Sequence, residues 1–157
     1  MKISKKIHII TNYSIKAKNL PKWRLHYWIK SAAELLRIFE HKIYNEIIFN
    51  IKITNKNESR YLNRMFRGIN KPTNILTFNY KNSFHKKLFI DIAICLPILI
   101  IESFNQKKFF LDHAAHIILH GFLHGLGYNH KHGNVNEMRN LEITILKSIG
   151  IDNPYKL

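Results

Sequence analysis

The sequence predicts an α+β fold, a single domain in which a small mixed β-sheet of about four strands is covered by helices. Strand-like runs of β-branched residues lie mostly before residue 96, and helix-like spacing of apolar residues dominates the remainder. Two strand-like segments, residues 73–78 and 87–95, are neighbours in the chain, so we expect them to pair antiparallel. A chain of 157 residues has the size of one domain with a real core, so we expect residues 1–157 to form a single domain.

The first half of the chain alternates between strand and helix signals. Residues 5–11 alternate well enough for a first strand, and Pro21 suits the first turn of a helix that runs to about residue 40. Residues 46–54 are β-branched and aromatic, which predicts a second strand. Residues 55–57 offer capping side chains for a short helix through residues 61–66.

The second half is mainly helical after the antiparallel pair, whose two strands we expect a polar loop at residues 79–84 to join. Pro97 is placed to open a helix that reaches about residue 106. Asp112 can cap a following helix that is rich in histidine, and residues 136–149 predict the last helix.

The charge balance is extreme for a chain of this size. Lys and Arg number 25 against 10 Asp and Glu, a formal net charge of +15. Such an excess favours a polyanionic partner, with nucleic acid the first expectation and an anionic membrane the second. A general bias of the sequence toward Lys, Ile and Asn produces the same charge without a partner, so charge alone does not assign a function.

Cysteine usage and the lengths of the apolar runs argue against a disulfide-bonded secreted protein and against a membrane-spanning one. Cys95 is the one cysteine, so no intramolecular disulfide can form, and its apolar surroundings predict a buried, reduced side chain in a cytoplasmic protein. The apolar stretch at residues 7–10 is too short for a signal peptide, and the stretch at residues 88–101 is too short to span a bilayer.

The most informative feature is a run of three histidines, His120, His124 and His130, with the spacing of a zinc site. Residues four apart project from one face of a helix. Gly127 can then adopt a left-handed conformation, end the helix and return the chain so that His130 becomes a third ligand. Three protein ligands with one open position are typical of a catalytic zinc, whereas structural sites usually have four.

The same three histidines can also occur without a metal, as buried side chains that hydrogen-bond within the core. His113 and His116 share the helical face of His120 and can either hydrogen-bond the ligands or lie in the core or at its rim. His132 falls outside the spacing pattern and is expected to be solvated.

The same spacing matches the metzincin protease pattern His-Glu-x-x-His-x-x-Gly-x-x-His, which is followed by a methionine turn. Gly127 takes the glycine position, and Met138 could lie beneath the metal. Gly121, however, stands where these proteases carry the glutamate that acts as general base. A metalloprotease is therefore the least favoured function, although a metzincin-like zinc site on a helix and the following turn remains the expectation.

Several motifs together resemble the YbeY family of bacterial endoribonucleases, also called rRNA maturation factors. Residues 120–130 resemble the family motif His-Gly-x-Leu-His-Leu-x-Gly-Tyr-Asp-His. Residues 62–78 resemble Leu-Asn-x-x-Tyr-Arg-x-x-Asp-x-Pro-Thr-Asn-Val-Leu-Ser-Phe, and residues 91–95 are similar to the end of Gly-Asp-Ile-Val-Ile-Cys. Matches within residues 137–142 and 152–155 extend the resemblance to the last helix and the tail.

The resemblance implies a zinc-dependent, single-strand-specific endoribonuclease, a hydrolase that acts in the cytoplasm on ribosomal RNA. The expected roles are maturation of the 3′ end of 16S rRNA and ribosome quality control. The implied partners are the small ribosomal subunit and its assembly factors, with no membrane. One Zn²⁺ per chain would be held by His120, His124 and His130.

Arg67 matches an arginine that the family uses in catalysis. A guanidinium can grip a phosphate with two hydrogen bonds and stabilise the charge of the transition state. The alternative for Arg67 is an ordinary surface arginine at a helix end. No general base is evident: His116 is a candidate, and the alternative is that a metal-bound hydroxide needs no separate base.

Four positions depart from the family pattern. Asn129 replaces an Asp, Gly125 a Leu, Ile90 a Gly and Asn79 a Pro. Asn129 carries no charge, so it can weaken metal binding if the family Asp hydrogen-bonds a ligand.

The main rival to a nuclease is a non-catalytic ribosome assembly factor in which the metal only holds the fold. This alternative predicts that Arg67→Ala leaves the cellular role of the protein intact.

Overall fold

The structure is a computed structural model that describes residues 6–40, 44–82, 84–128 and 135–156, with the backbone alone at residue 135. Four strands and five helices lie in these residues. In chain order they are β1 (Lys6–Tyr13), α1 (Lys22–Leu35), β2 (Glu46–Thr54), α2 (Lys56–Arg67), β3 (Ile75–Asn82), β4 (Lys87–Cys95), α3 (Leu96–Asn105), α4 (Phe110–Gly125) and α5 (Val135–Ser148).

The four strands form one mixed sheet in the order β1-β2-β4-β3. Strands β1, β2 and β4 are parallel, and β3 pairs antiparallel with β4 at one edge. The mixed four-stranded sheet and the antiparallel pair confirm the prediction. The parallel pairing of β1 with β2 was not predicted, because connections that cross over a sheet leave no local signal in a single sequence.

One face of the sheet is the core face, and α1, α4 and α5 belong to the same buried cluster. Phe49 of β2 is fully buried and meets Phe122 of α4 edge to face, with ring centroids 5.2 Å apart. Large apolar side chains on alternate strand positions dominate this face because successive residues of a strand point to opposite faces.

The opposite face, the open face, is covered only in part. Phe66 of α2 packs on Phe78 of β3 at one end of it. Beyond that contact, side chains such as Ile10 and Tyr80 are 46% and 54% exposed. The expectation of a sheet covered by helices therefore holds fully for one face and only in part for the other.

Several predicted boundaries are confirmed. Strands β2 and β4 begin and end where predicted. The Asn55 side chain caps α2 by accepting a hydrogen bond of 2.9 Å from the backbone N–H of Glu58. Cys95 is buried. Within the described residues, no helix combines the length and apolar character that crossing a bilayer requires.

Three differences from the prediction are the largest. Helix α1 ends at Leu35 rather than near residue 40, because Arg37 adopts a φ of +50° and turns the chain out of the helix. Strand β3 continues to Asn82 through the expected loop, since its pairing with β4 extends that far. Asp112 does not cap α4: it lies inside the first turn, and the cap position belongs to Phe109.

Candidate metal centre

Helix α4 brings His120 and His124 together on one face. Their Nε2 atoms are 3.0 Å apart, and their ring centroids are 4.5 Å apart. The opposite side of the helix carries the buried residues Ile118 and Phe122, which anchor it on the core. The i, i+4 spacing read from the sequence therefore produces two imidazole nitrogens that converge on one point, as predicted.

Two glycines allow α4 to lie close against the sheet. A Cβ atom at Gly121 would lie 2.4 Å from Cδ1 of Ile75, and one at Gly125 would lie 2.3 Å from Cγ2 of Ile90. Real Cβ atoms do not approach other atoms so closely. A side chain at residue 125 would therefore push Ile90 or the helix away, whereas one at residue 121 would have to displace the flexible end of Ile75. The approach fixes the depth at which the two histidines sit beside the edge strand.

Helix α4 ends as the sequence predicts, at a left-handed glycine. Gly127 has a φ of +104°. Its N–H donates to the carbonyl of His124 at 3.0 Å, and the N–H of Tyr128 donates to the carbonyl of Leu123 at 3.0 Å. These two bonds form the Schellman motif, which turns the chain away from the helix axis.

The predicted third ligand, His130, lies outside the described residues, as do Asn129 and His132. Among the described residues, no group of three or more His, Cys, Asp or Glu side chains is placed to hold a metal ion. The described part of the chain therefore contains two of the three predicted ligands.

A buried carboxylate is hydrogen-bonded to His120 at the ring nitrogen that does not face His124. Glu142 of α5 has no exposed side-chain area, and its Oε1 accepts a hydrogen bond from Nδ1 of His120. Its Oε2 accepts hydrogen bonds from the hydroxyl of Tyr155 and, at 3.2 Å, from Nε2 of His116. Arg139 lies 4.2 Å from the centroid of the Tyr155 ring and packs on it. These contacts together fix the orientation of one imidazole.

The network keeps Glu142 ionised. Burial alone would raise the pKa of the Glu142 carboxyl, but hydrogen bonds from His116, His120 and Tyr155 outweigh burial and hold that pKa well below its ordinary value. Burial, and then the hydrogen bond to the carboxylate, raise the pKa of the Tyr155 hydroxyl. At neutral pH the carboxylate can therefore only accept, and the phenol donates to it.

The proton positions that follow suit a metal ligand. Because Glu142 accepts from Nδ1 of His120, the Nε2 atom of His120 carries a lone pair and faces Nε2 of His124. Two ligands of a tetrahedral zinc, each about 2.0–2.1 Å from the metal, stand roughly 3.3–3.4 Å apart. The observed 3.0 Å is close to that separation, and a carboxylate behind the ligating imidazole is a recurrent feature of zinc sites. The spacing and proton positions of His120 and His124 are those that two zinc ligands need.

The other candidate residues lie elsewhere. Nε2 of His113 is 2.6 Å from Oε2 of Glu102, and this buried histidine belongs to the core rather than to the site. Arg67 is exposed at the end of α2, which packs on the open face, whereas α4 packs on the core face. The structure thus does not bring Arg67 into contact with the histidine pair, although both helices border β3.

Comparison with known proteins agrees with the geometry. The family model described as "Endoribonuclease YbeY" matches residues 10–150. The chain belongs to the endoribonuclease YbeY family. It is 37% identical to the endoribonuclease YbeY of Bordetella pertussis over 150 residues, which cover 95% of this chain and 96% of the relative. It is 35% identical to that of Coxiella burnetii over 154 residues, which cover 96% and 99% of the two chains.

A solved structure shows the same fold. The solution structure of TM1509 from Thermotoga maritima matches with a TM-score of 0.58 at 20% sequence identity, covering 97% of this chain and 100% of that chain. The two chains therefore share the same overall fold.

Three of the departures from the YbeY family pattern meet at the end of α4. A side chain at Gly125 would collide with Ile90, so the larger residue on the strand requires the smaller one on the helix. The side-chain amide of Asn79 donates to the carbonyl of Gly125 at 2.9 Å. These positions are far apart in the sequence and adjacent in space.

Sequence reasoning missed the role of Glu142 and Tyr155. A signal was present for Glu142, since it is an acid four residues after Met138 and three before Ile145, both of which are buried. An acid in an apolar stripe requires a buried partner. Tyr155 offered no such signal, because a tail residue has no periodicity that predicts its contacts.

Proposed function

We propose that this protein is a zinc-dependent endoribonuclease that cleaves single-stranded regions of ribosomal RNA in the cytoplasm. As a member of the endoribonuclease YbeY family it is a hydrolase that acts on RNA. The observation that carries the zinc assignment is the 3.0 Å convergence of the two Nε2 atoms, with His120 held by the buried Glu142.

His120, His124 and His130 would hold one Zn²⁺ per chain. A zinc ion bound by three histidines lowers the pKa of a bound water toward about 7 or polarises a phosphoryl oxygen, which is the chemistry that RNA hydrolysis needs. The sequence spacing supports His130 as the third ligand, and the left-handed turn at Gly127 supports it structurally, because it redirects the chain at the end of α4.

Glu142 and His116 position the site rather than act on the substrate. Glu142 is fully buried, and three donors occupy its carboxylate, so it can neither contact RNA nor accept a further proton at neutral pH. Nε2 of His116 lies 3.2 Å from both Glu142 and Tyr155, so this nitrogen donates into the network and is not free to act as general base. Both residues would keep His120 in one tautomer and orientation.

Arg67 would bind the phosphate of the substrate. Its guanidinium is exposed in the last turn of α2 and offers two parallel donors to a phosphate. The edge strand β3 separates α2 from α4, so an RNA chain that crosses this edge can reach both Arg67 and the histidine pair. In that arrangement Arg67 stabilises the negative charge that develops on the phosphate in the transition state.

The biological substrate that we propose is the precursor of 16S rRNA at its 3′ end, within the small ribosomal subunit and in contact with its assembly factors. The family relationship supports this assignment. The net charge of +15 supports a polyanionic substrate, because lysine and arginine side chains neutralise backbone phosphates.

A proteolytic role does not fit the site. At the position where metzincin proteases carry their glutamate, Gly121 packs on β3, and a side chain there would meet Ile75. A glutamate at that place would have to displace the end of the Ile75 side chain, and its carboxylate would start from the side of α4 that packs on the sheet.

The test combines zinc analysis with RNA cleavage. We expect about one zinc per chain by elemental analysis, and cleavage of a single-stranded RNA that falls roughly 100- to 1,000-fold in Arg67→Gln, the usual loss when one donor to a transition-state oxyanion is removed. Arg37→Gln is the matched control, because it removes the same charge from a side chain that is 73% exposed on the other side of the sheet.

Stoichiometric zinc with full cleavage in Arg67→Gln would remove Arg67 from the mechanism. Stoichiometric zinc with no cleavage by any variant, together with unfolding on chelation, would favour an assembly factor whose metal holds the fold.

A further inference from the structure

The open face of the sheet carries two pairs of aromatic rings beside the edge strand β3. Phe66 lies against Phe78, with ring centroids 4.9 Å apart and planes inclined by 56°. Tyr80 stacks on Phe89, with centroids 4.7 Å apart and planes within 3° of parallel. We call these four residues the ring platform.

Each pair presents one ring to solvent. Phe66 is 58% exposed and Tyr80 is 54% exposed, whereas Phe78 and Phe89, the rings against which they pack, are only partly exposed. The inner ring restricts the motion of the outer ring. Each pair therefore offers a rigid, flat apolar surface on which a planar ligand can stack at a small cost in side-chain entropy.

The two pairs are neighbours on the open face. Phe78 and Tyr80 are two residues apart on the same face of β3, a separation of about 7 Å, so the two pairs start from adjacent outward positions of one strand. RNA-binding sheets use aromatic side chains on neighbouring strand positions to stack two or three unpaired bases. Stacking tolerates any base, since every base has a π-face.

A row of arginines lies on α2, the helix that carries Phe66. Arg60, Arg64 and Arg67 recur every three to four residues and so share one side of the helix. At about 100° per residue that side is turned roughly 130° from Phe66, which packs on the sheet. Nε of Arg60 donates to Oδ1 of Asn70 at 2.9 Å, and the amide of Asn63 donates to the carbonyl of Lys71 at 2.8 Å, so the row lies toward the segment that leads into β3.

The acids of the open face are already engaged. Glu58 forms an ion pair with Lys52. Oδ1 of Asp91 accepts a hydrogen bond of 2.7 Å from the amide of Asn50. Asp91, the cross-strand neighbour of Phe78, keeps its negative charge because its donor is a neutral amide. The three charges of the arginine row exceed that one charge, so α2 and the open face together are positive and complement a phosphate backbone.

We propose that the ring platform binds single-stranded RNA, with unpaired bases stacked on Phe66 and Tyr80 and the adjacent phosphates on the arginine row of α2. This inference rests on the proposed nuclease function and names the surface that holds the substrate strand before it crosses β3 to the histidine pair. Single-stranded RNA fits better than a protein partner, because the exposed rings form two separate pairs rather than one continuous apolar patch, and the chain carries a net charge of +15.

The test measures the affinity for a cleavage-resistant probe, a fluorescein-labelled 2′-O-methyl oligouridylate of about 12 nucleotides, by fluorescence anisotropy. Tyr80→Ala and Phe66→Ala are each expected to raise Kd about 5- to 100-fold, the effect of losing one stacked base. Tyr80→Phe keeps the ring and should stay within about 2-fold of wild type. Trp23→Ala is the matched control, since Trp23 is an aromatic residue 64% exposed on α1.

The outcomes separate this inference from the proposed function. If wild type binds and cleaves single-stranded RNA but Tyr80→Ala and Phe66→Ala bind as tightly as Trp23→Ala, the platform does not hold RNA, whatever else docks there. If wild type neither binds nor cleaves single-stranded RNA, the proposed function itself fails. A loss of affinity that also occurs with a duplex of the same length would show that stacking on unpaired bases is not the cause, and would overturn the platform.

Discussion

Replacing Gly125 by alanine tests whether the depth of α4 on the sheet is set by its contact with Ile90. The added Cβ would lie 2.3 Å from Cγ2, 3.1 Å from Cγ1 and 3.0 Å from Cδ1 of a fully buried isoleucine. Cγ2 is attached to the β-carbon, so it can move only if the side chain changes rotamer or the strand shifts. Overpacking of this kind costs about 1–3 kcal/mol.

Helix propensity opposes the clash. Alanine is favoured over glycine in a helix interior by roughly 1 kcal/mol, and by less at the last residue of α4. We therefore expect Gly125→Ala to lower the free energy of unfolding by about 1–2 kcal/mol in urea titrations monitored by circular dichroism. Gly121→Ala is a milder control, because its nearest obstacle is Cδ1 of Ile75, the far end of a flexible side chain.

The decisive measurement repeats Gly125→Ala in a background that lacks the obstacle. Ile90→Ala alone should cost about 2–5 kcal/mol, and it leaves space that a methyl group at residue 125 can enter. In that background Gly125→Ala should become neutral or stabilising by up to about 1 kcal/mol, a coupling energy near 2 kcal/mol between the two positions. Equal destabilisation in both backgrounds would show that Ile90 is not what requires the glycine.

Three further predictions concern the site and its supports. Glu142→Gln should lower zinc affinity about 10- to 100-fold in competition with a chromophoric chelator, because the His120 imidazole loses the carboxylate that orients it. Unchanged zinc affinity would show that Glu142 does not support the proposed metal site. Gly127→Ala should destabilise by about 1–2 kcal/mol through backbone strain alone, since no atom lies within 4 Å of its added Cβ, and Gly127→Asn should cost less in the same thermal unfolding assay. Asn55→Ala should cost about 1 kcal/mol by leaving the N–H of Glu58 without its cap, measured by urea unfolding against Asn57→Ala.

The parts of the molecule that the sequence predicted are those set by local chemistry. The i, i+4 spacing of His120 and His124 requires only helix geometry, and Gly127 ends the helix because glycine adopts a positive φ without strain. The limits of β2 and β4 follow from their β-branched runs. The antiparallel pair follows from the neighbouring positions of β3 and β4 in the chain.

The parts that the sequence did not predict depend on long-range contacts. The apolar pattern of α1 continues through Ile38 and Phe39, which pack on the core from outside the helix, so periodicity extended the helix too far. The left-handed turn at Arg37 is unusual for a residue with a side chain and left no signal. The carboxylate of Glu142 and the hydroxyl of Tyr155 reach His120 and His116 only because α5 and the tail fold back on α4.

The departures from the family pattern also depend on contacts between residues that are distant in the sequence. In the sequence, Asn79, Ile90 and Gly125 are three separate losses of a pattern residue. In the structure they form one arrangement, in which the isoleucine occupies the space that a side chain at residue 125 would fill and the asparagine amide binds the carbonyl beside His124. That carbonyl belongs to the last turn of a helix, where backbone acceptors lack intrahelical partners, and a proline at residue 79 could not donate to it.

It follows that single reversions toward the family pattern should harm this protein. Gly125→Leu places a larger side chain against Ile90, and Asn79→Pro removes the donor that holds the turn after His124. The position of His124 is therefore maintained by a set of contacts that must change together, and a comparison of this chain with its relatives, residue by residue, overstates how far the proposed metal site has diverged.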